Sequence, residues 1–129
     1  KGAPVVLVTG DLSFLYDMNA LGIKYIPNHF RIIIINNQGG GIFKILPGYK
    51  NNSTFTEYIE TKHNYSAYNL AKMFNFKYFS VSTKFGLNFA LATFFNHSKK
   101  PKILEIKTDS DKSKKILKEY FRYLSKSEK

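Results

Sequence analysis

Two short stretches of the sequence carry the residue types that a metal and phosphate site needs. The first covers residues 10–13 (Gly-Asp-Leu-Ser), and the second covers residues 36–41 (Asn-Asn-Gln-Gly-Gly-Gly). Asp11 and Asn37 offer hard side-chain oxygens, and a glycine turn can add a backbone carbonyl. Such a set suits a small octahedral cation that also holds two phosphate oxygens. The chemistry indicated is therefore the binding of a diphosphate through a divalent cation.

Each stretch follows a short apolar run, residues 5–8 (Val-Val-Leu-Val) and residues 32–35 (four isoleucines). Both runs are too short for helices, and both predict strands buried on two faces, as parallel sheets require. In an open α/β sheet, ligands collect outside the carboxyl ends of neighbouring strands. Gly10 permits a tight exit from its strand, and Leu12 and Ser13 open a helix whose free N–H groups attract an anion. The alternative, two ordinary strand-to-helix turns, explains the glycines but not the matched ligands.

The rest of the sequence alternates strands with helices. Strands are predicted at residues 5–9, 30–35, 77–81 and 102–107, and helices at residues 13–21, 66–74, about 85–96 and about 110–124. This alternation predicts βαβ units, and hence a three-layer α/β/α sandwich on a mainly parallel sheet. Residues 49–64 are polar without a clear period, so function or mobility is expected there. The last helix carries one apolar stripe, expected to be buried: Ile116, Leu117, Tyr120, Phe121 and Leu124.

Composition predicts one globular domain over residues 1–129, with 43% hydrophobic residues and no cysteine. The lack of cysteine excludes disulfides and thiol catalysis and fits a reducing cytoplasm. No apolar run approaches the length of a membrane span. The net charge of +11 leaves a basic nucleic-acid-binding module as an alternative. Against it, only Arg31 and Arg122 are arginines, and the lysines are spread along the chain as on a solvated surface. The abrupt start in a strand predicts a fragment of a longer chain.

The two polar stretches together resemble the diphosphate-binding motif of the thiamine diphosphate (ThDP) enzymes, in which Gly-Asp is followed, after an interval, by Asn-Asn. The fuller strings GDLSFLYDMNAL and NNQGGGIFKILP resemble the menaquinone-pathway synthases of that family, which have Leu-Ser where many ThDP enzymes have glycine. The resemblance is strong over residues 3–47 and looser over residues 64–124. It covers only the C-terminal, diphosphate-binding domain of a longer enzyme. Another ThDP carboligase or decarboxylase is the alternative within the family.

The resemblance implies a site for ThDP and Mg²⁺ and assigns residues to it. Three residues would bind Mg²⁺, the last through its carbonyl: Asp11, Asn37 and Gly39. Further contacts to the cofactor would come from Gly10, Leu12, Ser13, Gly40 and Ile42. Ile42 and Phe43 resemble an apolar pair placed against the bound intermediate, with core packing as the alternative for the pair. Asn36 is expected to tie the turn together rather than to act as a ligand.

The resemblance also implies what the chain lacks. In the family, a glutamate from the pyrimidine-binding domain of a partner subunit activates the cofactor, and no glutamate of this chain matches it. No catalytic residue is therefore expected within these 129 residues, and the chain alone is expected to be inactive. The whole enzyme would be a cytoplasmic homo-oligomer that decarboxylates 2-oxoglutarate and adds the succinyl unit to isochorismate.

Overall fold

The computed structural model describes residues 3–46 and 52–127 and contains a four-stranded parallel sheet. Its strands lie in the order β1-β2-β4-β3. They are β1 (Val5–Gly10), β2 (Phe30–Asn36), β3 (Lys77–Val81) and β4 (Lys102–Lys107). Gly10 pairs with Ile35 and Ile35 with Ile106, so three strands end at one edge of the sheet. The parallel sheet predicted from the alternation of elements is confirmed.

Four α-helices follow strands or turns: α1 (Asp11–Tyr16), α2 (Tyr68–Met73), α3 (Lys84–Phe94) and α4 (Ser110–Ser127). α1 is shorter than predicted, because a 3₁₀ helix, Met18–Gly22, replaces its second half. Asp17 and Asn19 lie at this change, and their side chains compete for backbone groups in a helix interior. α3 begins where predicted, since the Thr83 hydroxyl accepts the Gly86 N–H at 3.0 Å as an N-cap.

The chain divides into two units, and the sheet belongs to the first, residues 1–36 and 65–107. Side chains from α1 and α2 cover one face of the sheet, and side chains from α3 cover the other. The first layer contains Phe14, Ile32, Ile34, Ala71 and Ile103. The second contains Ala90, Phe94 and Leu104. The α/β/α arrangement predicted from sequence is therefore present in this unit.

β1 departs from the prediction that it is buried on both faces. The four apolar side chains of residues 5–8 are 42% to 61% exposed: β1 is an edge strand, and neither core cluster of the described residues includes these side chains. β2 fits the prediction better, with Ile32 and Ile34 buried and Ile35 exposed. An apolar groove of about 450 Å³ lies beside β1, lined by Val5, Leu7 and residues of the segment that follows.

Two buried cations bind the backbone carbonyls at the C-terminus of α3. Arg31 of β2 donates to the carbonyls of Phe94 and Asn96 at 2.9 and 3.0 Å. Lys102 of β4 donates from Nζ to the carbonyls of Thr93 and Asn96, both at 2.9 Å. Burial, with the charges of Arg31 and Lys77, lowers the pKa of Lys102. Carbonyls left unpaired at a helix C-terminus attract cations, so these contacts stabilise both partners.

The second unit comprises residues 37–64 and 108–129. It contains a 3₁₀ helix (Gly41–Ile45), a π-helical turn (Phe55–Ile59) and α4. The turn gives structure to a segment that lacked a sequence period, and the Asn52 side chain accepts the Phe55 N–H at 2.8 Å. Residues 49–51 lie outside the described part of the chain, and the mobility expected for residues 49–64 stays a prediction.

The apolar stripe of α4 is not buried as predicted. Ile116, Tyr120, Phe121 and Leu124 are all exposed, and only Leu117 is partly buried. Helical spacing places such residues on one face of a helix, but it does not supply the surface that would cover them. Among the described helices, none combines the length and apolar character needed to cross a bilayer.

Candidate functional site

In the first unit, the predicted ligand Asp11 lies where β1 ends and α1 begins. Asp11 is only 5% exposed, and its Oδ1 accepts the Leu12 N–H at 2.9 Å. The Leu12 N–H is therefore hydrogen-bonded to Asp11, and the predicted contact of Leu12 with an anion stays a prediction. α1 has only six residues, so its dipole contributes less than expected. The exposed Ser13 and the extended Gly10 flank this turn, and no atom lies within 4 Å of a Cβ added at Gly10.

β2 ends at Asn36, whose side chain points into the protein rather than toward a ligand. Its Nδ2 donates to the Tyr65 carbonyl at 3.0 Å and to the Glu105 carboxylate. Asn36 is buried, and it joins the end of β2 to β4 and to the segment that precedes α2. The expectation that Asn36 ties the turn together agrees with these contacts. Asn37 is the next residue along the chain, in the second unit.

Glu105 is a fully buried carboxylate in the middle of β4. Burial by itself would raise its pKa, but hydrogen bonds to its carboxylate outweigh burial and lower the pKa below the ordinary value of 4.5. The donors are the Tyr78 and Ser66 hydroxyls, the Asn36 amide and the Ala67 N–H. Burial and the nearby carboxylate raise the pKa of Tyr78, which keeps this hydroxyl a neutral donor.

Sequence reasoning assigned no role to Glu105. The signal for it was a single acidic residue within an otherwise apolar strand, Ile-Leu-Glu-Ile. Such a residue is seldom buried unless it is paired or hydrogen-bonded. The partners themselves come from three separate segments, so no local pattern could name them.

In the second unit, the three glycines of the predicted turn each leave space for a different neighbour. Gly39 has φ +149°, and a Cβ there would lie 2.8 Å from the Glu60 carbonyl oxygen. A Cβ on Gly40 would lie 2.8 Å from the Phe43 ring, and a Cβ on Gly41 would overlap the Asn37 side-chain amide. The Gly40 N–H donates to the Glu60 carbonyl at 2.6 Å. Gly39 is therefore required by its φ and by a backbone contact, whereas the nearest neighbours of Gly40 and Gly41 are side chains, of Phe43 and Asn37, that could shift.

Ile42 and Phe43 both lie exposed on the 3₁₀ helix that follows the turn. Core packing, the alternative interpretation of this pair, does not describe the structure. The next residue, Lys44, is buried instead. An apolar pair beside a glycine turn is therefore accessible to a ligand, while the cation next to the pair is not.

Lys44 forms an ion pair with Glu60, with 2.8 Å between Nζ and Oε1. The same Nζ lies 3.0 Å from the Ser110 hydroxyl and 3.3 Å from Asp111 Oδ1, both at the start of α4. Burial would lower the pKa of Lys44, but Glu60 and then Asp111 raise it above its ordinary value. This pair was also missed by sequence reasoning, because a lysine in a polar, lysine-rich chain carries no local sign of burial.

Residues 1–106 match the family described as "Thiamine pyrophosphate enzyme, C-terminal TPP binding domain". The chain belongs to this family, whose members are the C-terminal cofactor-binding domains of ThDP enzymes. The predicted cofactor and the predicted fold class are thereby confirmed. Relatives named 2-succinyl-5-enolpyruvyl-6-hydroxy-3-cyclohexene-1-carboxylate synthase are close in sequence. The relative from Christiangramia forsetii is 47% identical over 121 residues, 94% of this chain and 21% of the relative.

The relative of the same name from Flavobacterium johnsoniae is 48% identical over 125 residues, 97% of this chain and 23% of its own length. A third, from Cytophaga hutchinsonii, is 40% identical over 123 residues, 95% of this chain and 22% of its own length. The chain therefore spans about a fifth of the length of the curated relatives it matches.

Taken unit by unit, the ligand types present are those that a diphosphate held by a divalent cation would need. In the first unit, Asp11 supplies a buried carboxylate. In the second unit, the glycine turn adds no side chains of its own, and the Cβ sides of its glycines face Glu60, Phe43 and Asn37. Within the described ranges, no group of three or more histidine, aspartate or glutamate side chains could hold a metal ion by itself. A set of one carboxylate, one amide and one carbonyl is of another kind, since it leaves coordination positions for phosphate and water.

Proposed function

We propose that the chain is the ThDP- and Mg²⁺-binding domain of a synthase that decarboxylates 2-oxoglutarate and adds the succinyl unit to isochorismate in menaquinone biosynthesis. The observation that carries the proposal is 47–48% identity, across 94–97% of the chain, to relatives named as this synthase. Leu12-Ser13 and the run at residues 39–43 (Gly-Gly-Gly-Ile-Phe) support this reaction over those of other ThDP carboligases and decarboxylases.

The residue roles follow from the ligand types. Asp11, Asn37 and the Gly39 carbonyl bind Mg²⁺, which in turn holds the diphosphate. The remaining cofactor contacts come from Gly10, Leu12, Ser13, Gly40 and Ile42. When bound, the cofactor would supply an electron sink that stabilises the negative charge left on the former carbonyl carbon of the 2-oxo acid.

The apolar pair has a separate role toward the substrates. Ile42 and Phe43 form an apolar wall beside the reacting carbon and exclude water from it. Their exposure in the structure supports this role. The carbanion equivalent must add to isochorismate before water protonates the carbanion equivalent. Exclusion of water therefore favours carboligation over simple decarboxylation.

The proposal also includes a division of labour between domains. The pyrimidine-binding domain of a partner subunit in a homo-oligomer supplies the glutamate that activates the cofactor. The present chain supplies no catalytic residue of its own. Localisation in the cytoplasm is part of the proposal, and the cysteine-free composition suits a reducing compartment.

The test is turnover by the full-length protein that contains this domain. With ThDP, Mg²⁺, 2-oxoglutarate and isochorismate, we expect release of CO₂ and consumption of both substrates, and neither event when ThDP or Mg²⁺ is omitted. Pyruvate in place of 2-oxoglutarate is the matched control. Turnover of pyruvate alone would instead assign the domain to another ThDP enzyme. Binding of oligonucleotides without ThDP-dependent turnover would favour the basic module.

A further inference from the structure

We propose that Lys44 is a positioning residue, which through its buried ion pair with Glu60 holds the glycine turn and the Ile42–Phe43 pair in their working arrangement. The inference rests on the proposed function, because that function assigns the turn to the cofactor and the pair to the substrates. Lys44 itself contacts neither, since its side chain is only 10% exposed and faces Glu60 and α4.

The backbone around Lys44 forms only a short helix that is weak by itself. The 3₁₀ helix Gly41–Ile45 has five residues and lacks a side-chain cap at its N-terminus. Short 3₁₀ helices have poor hydrogen-bond geometry, so their position depends on contacts outside the helix. Lys44 provides such contacts, to Glu60 on one side and to Ser110 and Asp111 on the other.

Glu60 contacts this segment at two points. Its carboxylate binds the Lys44 ammonium at 2.8 Å, and its carbonyl accepts the Gly40 N–H at 2.6 Å. The same carbonyl occupies the space that a side chain at Gly39 would need. A shift of the Glu60 backbone would therefore move the turn, and a shift of its carboxylate would release Lys44 of the 3₁₀ helix.

The arrangement of Lys44 and Glu60 depends on their opposite charges. The Glu60 side chain is only 4% exposed, so removal of the Lys44 cation leaves a buried carboxylate without its partner. An unpaired buried charge is strongly unfavourable, and the carboxylate is expected to turn toward water. The Glu60 backbone would move with it, the Gly40 hydrogen bond would open, and Phe43, which packs against Gly40, would lose its fixed position.

The experiment compares Lys44→Met with Lys44→Arg in the full-length protein. Lys44→Met removes the charge and keeps the side-chain length, whereas Lys44→Arg keeps the charge. Lys62→Met, an exposed lysine two residues from Glu60, is the matched control. Amide hydrogen exchange is measured without ligands, and kcat, KM and ThDP affinity are measured at a temperature well below unfolding.

For Lys44→Met we expect the Gly40 amide to exchange at least about tenfold faster while the Ile34 amide in β2 keeps its protection. We expect kcat to fall by about 10- to 100-fold, as for displaced reacting groups. Lys62→Met should stay within about threefold of the parent in both measurements, and Lys44→Arg, which keeps the charge, should change less than Lys44→Met. A purely structural role would speed exchange throughout the domain and would not single out Gly40.

Several results would overturn the proposal. One is a folded Lys44→Met protein whose Gly40 exchange and kcat stay within threefold of the parent. Another is an equal rise in exchange at Ile34 and Gly40. If Lys44→Met does not fold, Glu60→Gln weakens the same pair from the other side, and we expect changes in the same direction but smaller, because Asp111 still pairs with Lys44. Absence of ThDP-dependent turnover in the parent protein would refute the proposed function, while the exchange data would still decide the positioning role.

Discussion

At the scale of the residue, Gly39 shows how a backbone conformation and a close contact act together. Its φ of +149° is unfavourable for any side chain, and a Cβ would lie 2.8 Å from the Glu60 carbonyl oxygen. We expect Gly39→Ala to lower the free energy of unfolding by about 1–3 kcal/mol. Gly10→Ala is the control, because Gly10 has φ −79° and open space, and a gain of about 0.4–1 kcal/mol is expected there. Urea denaturation of both variants measures the difference, and equal effects would contradict the role of the turn.

The proposed metal ligands give a second residue-level prediction. Asp11→Asn keeps the acceptor for the Leu12 N–H but removes the negative charge, and Asn37→Ala removes an oxygen ligand. In the full-length protein we expect each change to weaken Mg²⁺-dependent ThDP binding at least about 100-fold, with the fold retained. Calorimetry at limiting Mg²⁺ measures the affinity. Asp17→Asn and Asn88→Ala, both exposed, are matched controls. Normal affinity in either ligand variant would remove that residue from the metal site.

The sequence alone could identify a functional residue where its neighbours along the chain define its position. Asp11 and Asn37 come within three residues of the ends of apolar runs, so their place just after strands could be predicted from the sequence alone. Glu105 and Lys44 could not, because their burial depends on partners that are far away in the sequence. A sequence pattern reports what a side chain can do, and only the packed structure reports what it faces.

At the scale of the element, Glu105 connects β4 with β2, β3 and the segment before α2. Because its pKa is lowered in the folded state, the unfolded state binds an extra proton as pH falls below 4.5. The stabilisation by Glu105 is therefore complete above the ordinary pKa and is lost as pH falls through the folded pKa.

The matching prediction concerns Glu105→Gln in the 129-residue chain. We expect the variant to lose about 1–3 kcal/mol of unfolding free energy at pH 7 and to show a shallower decline between pH 5 and acid unfolding. Glu119→Gln, on the exposed side of α4, should leave both quantities unchanged. Urea denaturation across this pH range is the measurement. A slope identical to that of the parent would show that Glu105 is not the group that titrates.

Elements were predicted well where apolar runs are short and bounded. β3 and β4 begin and end where the sequence placed them, and β1 and β2 differ by one residue. The exposure of β1 and of the α4 stripe was not predictable, because the spacing of apolar residues indicates which side chains share a face but not what covers that face. The 3₁₀ and π-helical turns were missed because they have no apolar period of their own.

At the scale of the whole molecule, the prediction is that the 129-residue chain by itself does not turn over. It lacks the proposed acid–base partner, which is typically worth about 10²–10⁴ in rate, and the surface that would enclose the substrates. Incubation of the purified chain with ThDP, Mg²⁺, 2-oxoglutarate and isochorismate should consume neither substrate above a protein-free control. Measurable consumption would mean that the division of labour between the domains is wrong.

The strand order β1-β2-β4-β3 has a consequence for folding kinetics. β1 with β2, and β3 with β4, are each close in sequence, whereas the central pair β2 and β4 joins distant parts of the chain. The entropic cost of closing a loop grows with its length, so the two local pairs should form first and the central pair β2–β4, the seam between them, last. Ile103 packs across that seam, while its neighbour Leu104 packs with Ala90 and Phe94 of α3.

Stopped-flow measurements should therefore give Ile103→Val a low φ-value, with its effect mainly on the unfolding rate, and Leu104→Ala a higher one. Similar values for both would mean that the seam forms together with the local pairs. In the expected case, the seam that carries the Glu105–Asn36 contact closes in the last step of folding. Burial of the Glu105 carboxylate would then coincide with the step that fixes the native strand order.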